Sequence, residues 1–481
     1  MTKKVLLING PSQDPSDRFF GWPTSLLYAI APSVSESRAG RLDVEFANKI
    51  FDPVWYAGGQ TELEFENVLR REKPDVVCGS AIYDSVYPTA QFFRIAKKVD
   101  PKISIIFGGP HFDEAHTSNR LNDVRVAPDL IDVAIAGDGE LALLETLRAL
   151  SSEKRLSSID WSRVPGRATV YTRVGEVFHT SSNGLYISNL PSMPIEFADI
   201  SRHKNDYDIF TDGAGHIIPT VQMIAARGCP YSCACCSEGR DLAYPNARNI
   251  ANIVEEIELR KSQGFRAVFF DDSTFGAYPR LIELLMELGK TGMQFGSLNR
   301  FNHLVNPKVL ERYQRAGFRY FYCAIEQFDD SALRSIGKAQ EEKVIRSSIE
   351  LLHKHGIALG VSLLYGLPGE TSESIRRTIE FTAEAVGKGA IKLVSESALA
   401  YHPGTVLGKD LQDGFHRTPP NKGYPFDRFE EGQWYHPPNV TAEYLEGILR
   451  LSEQRFSGAL VRNRHYWYAQ RGMLGNTQVN S

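Results

Sequence analysis

Short apolar runs alternate with amphipathic stretches over the first 150 residues of the chain. Five of these runs are typical of buried strands, with the sequences KVLLIN, LDVEFA, DVVCGSAI, ISIIFGG and DVAIAG. Stretches such as AQFFRIAKKV and ELALLETLRAL repeat their apolar residues at helical spacing. The alternation predicts an α/β domain over residues 1–150, with a doubly wound, Rossmann-like parallel sheet.

Glycines follow several of these strands. Gly108 and Gly109 close the fourth run, and Gly79 and Gly137 stand in corresponding positions in others. Loops and helix amino termini converge at the carboxyl ends of parallel strands, where open α/β sheets bind ligands. We therefore expect a ligand at this edge, next to Gly108 and Gly109. Tight turns without a ligand are the alternative.

A second alternation begins near residue 216, after a segment (151–215) that predicts a small hairpin and a proline-bounded linker. Six strand-like runs follow, with the sequences QMIAARG, RAVFFDD, QFGSLNRF, RYFYCAIEQ, IALGVSLLYG and AIKLVSESALA. Amphipathic helical patterns separate them, and most end on glycine, as helices commonly do. Six β/α units predict a partial (β/α)6, TIM-like barrel over 216–401, with its chemistry at the carboxyl ends of the strands.

Residues 402–481 are rich in proline, aromatic and charged side chains. They predict a C-terminal cap. Aromatic residues with polar atoms suit a lid that excludes water while it hydrogen-bonds a polar substrate. A packed C-terminal subdomain is the alternative interpretation.

Composition narrows the class of function. The 481 residues include 54 basic and 58 acidic side chains, for a net charge of −4, with no long run of either sign. This balance argues against nucleic acid or an anionic membrane as partner, and favours a small-molecule substrate. No stretch approaches the roughly 20 apolar residues of a membrane span. We expect a cytoplasmic protein.

Four of the six cysteines lie in one stretch, RGCPYSCACCSE, at residues 227–238. Cys229, Cys233 and Cys236 form the pattern CxxxCxxC. In a reducing compartment, clustered cysteines are typical of metal ligands rather than disulfides. Three thiolates at this spacing suit three corners of one iron–sulfur cube and leave the fourth iron without a local ligand. A structural zinc site, which needs four nitrogen or sulfur ligands, is the alternative.

The loop opened by RGCPYSC resembles the signature of the radical S-adenosylmethionine (SAM) superfamily. FFDDSTF, GKAQEEKVIRSSIELLHKHGI and YGLPGET, with FGGPH, AGDGE and LPSMP nearer the amino terminus, are similar to the subgroup that carries an N-terminal B12-binding-type domain. In that family three cysteines bind a [4Fe-4S] cluster whose fourth iron chelates SAM. One-electron reduction then cleaves SAM and yields a 5′-deoxyadenosyl radical. Cys235 stands where the family usually has an aromatic residue, and we expect that it is not a ligand.

The resemblance also implies which residues meet the cofactor. Besides the three cysteines, these residues are Asp271, Asp272, Ser273, Arg300, Glu326, Gly366 and Gly369. The acidic segment at 271–273 is implied to contact the methionine end of SAM, Arg300 its carboxylate, and Glu326 its ribose or amino group. The two glycines are implied to bring the backbone close to adenine. Capping of neighbouring helices and tight turns are the structural alternatives, and no catalytic residue is assigned.

The resemblance leaves the role of cobalamin open. B12 modules that replace the cofactor's own lower ligand resemble DxHxxG after the first strand, whereas no histidine precedes His111 here. Cobalamin would then bind without a protein histidine ligand, or the domain would be a scaffold alone.

Three functions follow from these alternatives. The first is cobalamin-dependent methyl transfer to carbon, after the radical takes hydrogen from a small biosynthetic intermediate. The second is cobalamin-free dehydration, deoxygenation or rearrangement of a small polar, sugar-like metabolite. The third is a zinc- or cluster-stabilised binding module without turnover. Either enzyme would need a one-electron reductant such as flavodoxin or ferredoxin.

Overall fold

The computed structural model describes two compact units, Met1–Asp206 and Tyr207–Ser481. The described residues are 2–9, 23–47, 49–52, 61–80, 86–109, 130–181, 188–198, 209–236, 246–399, 405–407, 416–417, 433–434, 442–456 and 459. None of the helices in these ranges combines the length and the hydropathy that a membrane span requires.

The first unit is built on a seven-stranded sheet with the order β2-β1-β3-β4-β5-β6-β7. Its strands are β1 (Lys3–Asn9), β2 (Val44–Phe46), β3 (Val76–Ser80), β4 (Ser104–Gly108), β5 (Val133–Gly137), β6 (Ala168–Thr172) and β7 (Val177–His179). Its helices are α1 (Thr24–Arg38), α2 (Thr61–Glu72), α3 (Val86–Val99) and α4 (Gly139–Ser151). Strands β1 to β5 are parallel, which confirms the Rossmann-like sheet predicted from the sequence.

Close packing of backbone explains the glycines at two strand ends. Gly137 ends β5 with φ 86°, and a Cβ there would lie 1.9 Å from the carbonyl oxygen of Arg167. A Cβ on Gly108 would lie 3.1 Å from the carbonyl oxygen of Ile135 on the neighbouring strand. Gly109 follows with φ 107°, a conformation that favours glycine. The segment after it, 110–129, lies outside the described residues, so a ligand near Gly108 and Gly109 stays a prediction.

The hairpin of β6 and β7 continues the first sheet. Strand β6 pairs antiparallel with β5, and β7 pairs antiparallel with β6. The small hairpin predicted within residues 151–215 is thus present, and it belongs to the sheet of the first unit. The division of the chain into 1–150, 151–215, 216–401 and 402–481 stays a prediction.

The second unit contains a six-stranded parallel sheet with the order β15-β14-β13-β12-β11-β8. Its strands are β8 (Thr220–Met223), β11 (Ala267–Phe270), β12 (Gln294–Asn299), β13 (Phe318–Glu326), β14 (Ala358–Tyr365) and β15 (Leu393–Ala398). The helices between them are α5 (Ile250–Ser262), α6 (Leu281–Thr291), α7 (Pro307–Ala316), α8 (Asp330–Ser335), α9 (Glu342–Lys354) and α10 (Ser372–Gly387). All six predicted strands are present in sequential order, which confirms the partial (β/α)6 barrel.

Two glycines, on the strands that flank β13, make room for aromatic rings. A Cβ on Gly296 of β12 would lie 2.7 Å from Cζ of Phe210, and one on Gly360 of β14 would lie 2.2 Å from the hydroxyl oxygen of Tyr320. The rings of Phe210 and Tyr320 meet edge to face at 6.3 Å, and that of Phe269 lies 6.1 Å from Tyr320. An aromatic core therefore fills this face of the sheet.

Most of the predicted C-terminal cap lies outside the described residues. Its described elements are a hairpin of β16 (His416–Arg417) with β17 (Gln433–Trp434), and helix α11 (Ala442–Arg455). The Ser452 hydroxyl donates to Glu396 of β15 at 2.7 Å, so this helix is tied to the edge of the second sheet. The lid interpretation stays a prediction.

We expect Gly360→Ala to lower the stability of the second unit. The new methyl group meets the Tyr320 hydroxyl and the Tyr322 ring, and overpacking of this kind costs about 1–3 kcal/mol. Gly387→Ala is the matched control, because nothing lies within 4 Å of a Cβ at that end of α10. The midpoint of thermal unfolding should fall for Gly360→Ala and be unchanged or slightly raised for the control. Equal midpoints would contradict the packing described here.

Candidate cofactor site

The cysteine loop begins at the carboxyl end of β8. After Met223 the chain forms a short strand, β9 (Ala226–Arg227), which pairs antiparallel with β10 (Asn246–Ala247). This ladder closes the loop at its base. Gly228 then turns the backbone with φ 86°, directly before the first cysteine. Residues 237–245, the second half of the loop, lie outside the described residues.

Two buried charged side chains hold the backbone from which the loop departs. The Asp272 carboxylate accepts hydrogen bonds from the amides of Ala225 and Ala226, at 2.8 and 2.7 Å. The Arg248 guanidinium donates to the carbonyl of Ile224 at 3.0 Å, and its own amide donates to Ala225 at 2.9 Å. The start of the loop is therefore fixed on both its amide and its carbonyl side.

Asp272 lies next to the backbone at the start of the loop. Its side chain is buried, and within the described residues its Oδ2 atom has no hydrogen-bond partner. Burial raises the pKa of Asp272 to about 7, although the two amide donors and Arg248 act in the opposite direction. Its side chain thus supports the loop, and a direct contact with a cofactor stays a prediction.

Arg248 belongs to a buried ionic group. Its guanidinium lies 2.8 Å from Glu256, which also pairs with Arg260 at 2.8 Å. The three side chains are at most 1% exposed. Removing one partner of such a group leaves an uncompensated charge and destabilises a protein strongly. The loop base therefore depends on helix α5, which carries Glu256 and Arg260.

The three cysteines of the CxxxCxxC pattern lie in one loop and form no disulfide. Cys229 is buried, with its sulfur 3.5 Å from the Thr274 hydroxyl. Cys233 is partly exposed and accepts a hydrogen bond from Nη1 of Arg300 at 3.4 Å. Cys236 is also partly exposed, and its amide donates to the carbonyl of Cys233 at 3.1 Å. Cys233 and Cys236 thus belong to one turn that a backbone hydrogen bond closes.

Cys235 faces a different environment from its neighbours. It packs against an apolar cluster formed by Ala332, Ile336, Leu367, Leu399 and Leu407. Burial raises the pKa of its thiol, which disfavours the thiolate that a metal ligand requires.

Two hydrogen bonds on the adjacent residue, Ala234, fix that orientation. Its amide donates to Ile336 at 2.7 Å, and its carbonyl accepts from Leu407 at 2.9 Å.

Arg300 follows β12 and lies against the loop. It is 8% exposed, and its guanidinium carbon is 3.9 Å from the centre of the Tyr231 ring. Within the described residues, its Nε and Nη2 atoms have no hydrogen-bond partner. Buried guanidinium nitrogens are costly when unsatisfied. They are suited to a bidentate anionic ligand such as a carboxylate.

Glu326 ends β13 in an irregular backbone conformation. Its φ is 60°, and the register with β14 shifts between Ala324 and Glu326. Such a conformation costs a non-glycine residue roughly 1–3 kcal/mol and is common at functional sites. Its carboxylate lies 2.8 Å from Nζ of Lys338, a lysine that is 5% exposed. The pair is thus a largely buried ion pair, next to the segment that holds Ala234.

The turn after β14 is organised by a buried carboxylate. Glu370 accepts hydrogen bonds from the amides of Gly366 and Leu367 and from the side chain of Gln327. Burial raises the pKa of Glu370 to about 8. The φ angles of Gly366 and Gly369 are 90° and 79°, so both glycines are required by the turn. Their approach to adenine stays a prediction.

The segment after β11 leads toward the cysteines. The amide of Asp271 donates to Met223 at 2.8 Å, which continues the pairing of β11 with β8. Ser273 is partly exposed, and its carbonyl accepts from the Thr274 hydroxyl at 2.6 Å. Thr274 in turn contacts Cys229.

Several residues of this site were not singled out from the sequence. They are Tyr231, Arg248, His303, Lys338 and Glu370. Tyr231, Lys338 and Glu370 lie in the segments RGCPYSC, GKAQEEK and YGLPGET, respectively. The family resemblance of these segments could therefore have pointed to them. Arg248 and His303 carry no such signal, because their partners are distant in sequence.

No three thiol, imidazole or carboxylate groups of the described residues converge as ligands of a single metal ion. An iron–sulfur cluster has different requirements, because each thiolate binds a separate iron atom. The donor set at this loop is three thiols beside a buried arginine with unsatisfied nitrogens.

Comparison with known proteins identifies the second unit. Residues 223–382, from the end of β8 into α10, match the model of the radical SAM superfamily. The chain thus carries a radical SAM domain over these residues, in agreement with the resemblance of its sequence.

Two curated relatives align over most of the chain. An uncharacterized methyltransferase of Pyrococcus horikoshii is 25% identical over 390 residues, which cover 79% of this chain and 77% of the relative. An anaerobic magnesium-protoporphyrin IX monomethyl ester cyclase of Rubrivivax gelatinosus is 25% identical over 351 residues, which cover 68% of this chain and 60% of the relative.

A solved structure extends the likeness to both units. The radical S-adenosylmethionine methyltransferase TsrM from Kitasatospora setae, with cobalamin and a [4Fe-4S] cluster bound, superposes with a TM-score of 0.71. The match covers 98% of this chain and 99% of TsrM, at 15% sequence identity. At this identity the likeness shows a shared fold, the N-terminal Rossmann-like unit included.

Asp272→Asn should change how stability depends on pH. The pKa of Asp272 rises on folding from 3.8 to about 7, so between these values the folded state holds a proton that the unfolded state has lost. This carboxyl group therefore makes the wild-type protein less stable as pH rises through that window, and its contribution is constant above about pH 7. The asparagine side chain of the variant does not ionise. The thermal midpoint of the variant should gain on that of the wild type as pH rises from 3.8 to about 7, and parallel curves over this window would contradict the assignment.

Proposed function

We propose that this protein is a cobalamin-dependent radical SAM methyltransferase that acts on a small-molecule substrate. The observation that carries the proposal is the cysteine loop at the carboxyl end of β8, next to an arginine with two unsatisfied nitrogens. The fold shared with TsrM, and the methyltransferase of P. horikoshii among the relatives, support methyl transfer as the outcome.

Cys229, Cys233 and Cys236 would hold the [4Fe-4S] cluster. Their thiols are the donors that iron–sulfur clusters require, all three lie in one loop, and Cys233 and Cys236 share a hydrogen-bonded turn. Cys235 is excluded as a ligand in this proposal, because its thiol is packed into apolar side chains. When bound, the reduced cluster supplies the electron that cleaves SAM, and cobalamin supplies a carrier for the methyl group.

Arg300 would bind the carboxylate of SAM through Nε and Nη2, the two atoms without a partner in the described residues. Asp271 and Ser273, partly exposed beside the loop, would contact the methionine end. Glu326 would face the ribose or the amino group, held in place by Lys338. Asp272 would act indirectly, because its two hydrogen bonds hold the backbone at the start of the loop.

The turn at Gly366 and Gly369 would lie against adenine. The amide of Gly366 is already bound by Glu370, so the turn offers adenine a fixed backbone surface rather than this donor.

Cobalamin would bind the first unit at the carboxyl edge of its sheet, close to Gly108 and Gly109. The histidine-free first 110 residues favour binding without a protein histidine ligand. A flavodoxin or ferredoxin would supply electrons.

The alternative function is that of a cobalamin-free radical lyase or dehydratase. The specific observation that favours it is that the DxHxxG pattern is missing after the first strand.

Anaerobic reconstitution tests this proposal. The full-length protein is loaded with iron, sulfide and cobalamin, repurified, reduced and incubated with SAM. Retention of about four irons and one cobalamin per chain, with S-adenosylhomocysteine among the products, supports the methyltransferase. Iron without cobalamin, with 5′-deoxyadenosine as the product, supports the cobalamin-free enzyme. Zinc in place of iron, and no cleavage of SAM, would leave a binding module.

Single cysteine variants test the ligand set. Cys229→Ala, Cys233→Ala and Cys236→Ala should each lose the cluster and all cleavage of SAM, because each removes one of three thiolates. Cys235→Ala is the matched control, and it should keep about four irons and its cleavage activity. Iron analysis and the absorbance of the repurified proteins provide the measurement. Loss of the cluster from the Cys235 variant alone would overturn the assignment.

Bound cobalamin should carry no protein nitrogen on cobalt. Neutral imidazole is the usual nitrogen ligand that a protein provides, and none precedes residue 111. The electron paramagnetic resonance (EPR) spectrum of the cob(II)alamin form should therefore lack the splitting caused by axial nitrogen. Splitting that persists after isotopic labelling of the cofactor's own base would contradict this expectation.

A further inference from the structure

Arg300 makes a contact that binding of the SAM carboxylate does not explain. Its Nη1 atom donates to the sulfur of Cys233 at 3.4 Å, while the two nitrogens suited to a carboxylate are Nε and Nη2. The backbone amide of Arg300 donates to the Asn299 side chain at 2.9 Å, which fixes the point where the side chain leaves β12. One guanidinium thus presents separate atoms to the cysteine and to an anion.

Tyr231 also contacts this guanidinium. It belongs to the same loop, between the first two cysteines, and its ring centre lies 3.9 Å from the guanidinium carbon of Arg300. A cation over an aromatic face is stabilised by roughly 0.5–2 kcal/mol, with the larger values at desolvated sites. The Arg300 side chain is therefore in contact with both the Tyr231 ring and the Cys233 sulfur.

His303 orients the tyrosine ring. The Tyr231 hydroxyl lies 2.8 Å from Nε2 of His303, and the two rings meet edge to face at 5.9 Å. Burial, together with Arg300, lowers the pKa of His303. This direction favours a neutral imidazole that accepts a hydrogen bond from the phenol. The tyrosine is thereby fixed at both its ring face and its hydroxyl.

Gly276 provides the space for this arrangement. A Cβ at that position would lie 2.6 Å from Oδ1 of Asn299 and 2.6 Å from Cγ of His303. These are the side chains that position Arg300 and Tyr231, respectively. The 3-10 turn after β11 (Phe275–Ala277) is thus shaped around the group formed by Arg300, Tyr231 and His303.

We propose that Arg300, positioned by Tyr231 and His303, donates a hydrogen bond to the Cys233 thiolate of the bound cluster and raises the reduction potential of that cluster. The inference rests on the proposed function. One-electron reduction adds negative charge to the cluster, and a cation that donates to a ligand sulfur stabilises the reduced form more than the oxidised form. Hydrogen bonds to cluster sulfurs are among the factors that set such potentials.

The test is a potentiometric titration of the reconstituted full-length protein, monitored by EPR and carried out without SAM. Arg300→Met should shift the midpoint potential to a more negative value, and Arg300→Lys, which keeps a charged donor, should restore part of the shift. Tyr231→Phe keeps the ring but loses the bond to His303, so it should shift the potential in the same direction by a smaller amount and alter the EPR line shape.

Arg266→Met is the matched control. It removes the same charge from an exposed position at the amino end of β11 and should leave the potential unchanged. Iron analysis of each protein separates the two proposals, because a wild-type protein without iron contradicts the proposed function itself.

Two outcomes overturn the inference. One is an Arg300→Met protein with full iron content and the wild-type potential. The other applies if Arg300→Met fails to assemble a cluster. A Tyr231→Phe protein with full iron content, the wild-type potential and the wild-type EPR line shape then overturns the inference, because the tyrosine does not position a redox-active contact.

Discussion

The candidate site depends on how the backbone of residues 224–226 is held. Two amides of this segment bind the Asp272 carboxylate, and two of its carbonyls accept from Arg248. All these groups are buried, so water does not compete for them. The direction in which the chain leaves β8 is thereby determined before the first cysteine. The thiols, Tyr231 and the contact with Arg300 all lie downstream of that point.

The same segment shows why buried charge is tolerated here. Arg248 shares Glu256 with Arg260, and Asp272 accepts two backbone hydrogen bonds. A buried ion pair adds little to stability when compared with a well-packed apolar core, but the loss of one member is costly. The arrangement therefore fixes one conformation of the loop rather than adding much net stability. A site that must present three thiols together needs that restriction.

The sequence allowed the positions of the parallel strands along the chain to be predicted in both units, because parallel strands buried on both faces appear as continuous apolar runs. The cysteine spacing likewise indicated metal chemistry. Contacts between distant segments could not be predicted. Lys338 is 12 residues from Glu326, and His303 is 72 residues from Tyr231, so no local periodicity relates them. Spacing and the family resemblance predicted that Cys236, rather than Cys235, is a ligand, and the packing of Cys235 against the apolar cluster supports this prediction.

The hairpin of β6 and β7 has a consequence for the behaviour of the first sheet toward other chains. Without it, the apolar β5 (VAIAG) would expose a row of unpaired backbone groups as an edge strand, a common starting point for aggregation. With it, the edge strands among the described residues are β2 and β7, each only three residues long. Short edges offer few hydrogen bonds to an incoming strand. The sheet is thus poorly suited to strand addition at either side, although its centre is almost wholly apolar.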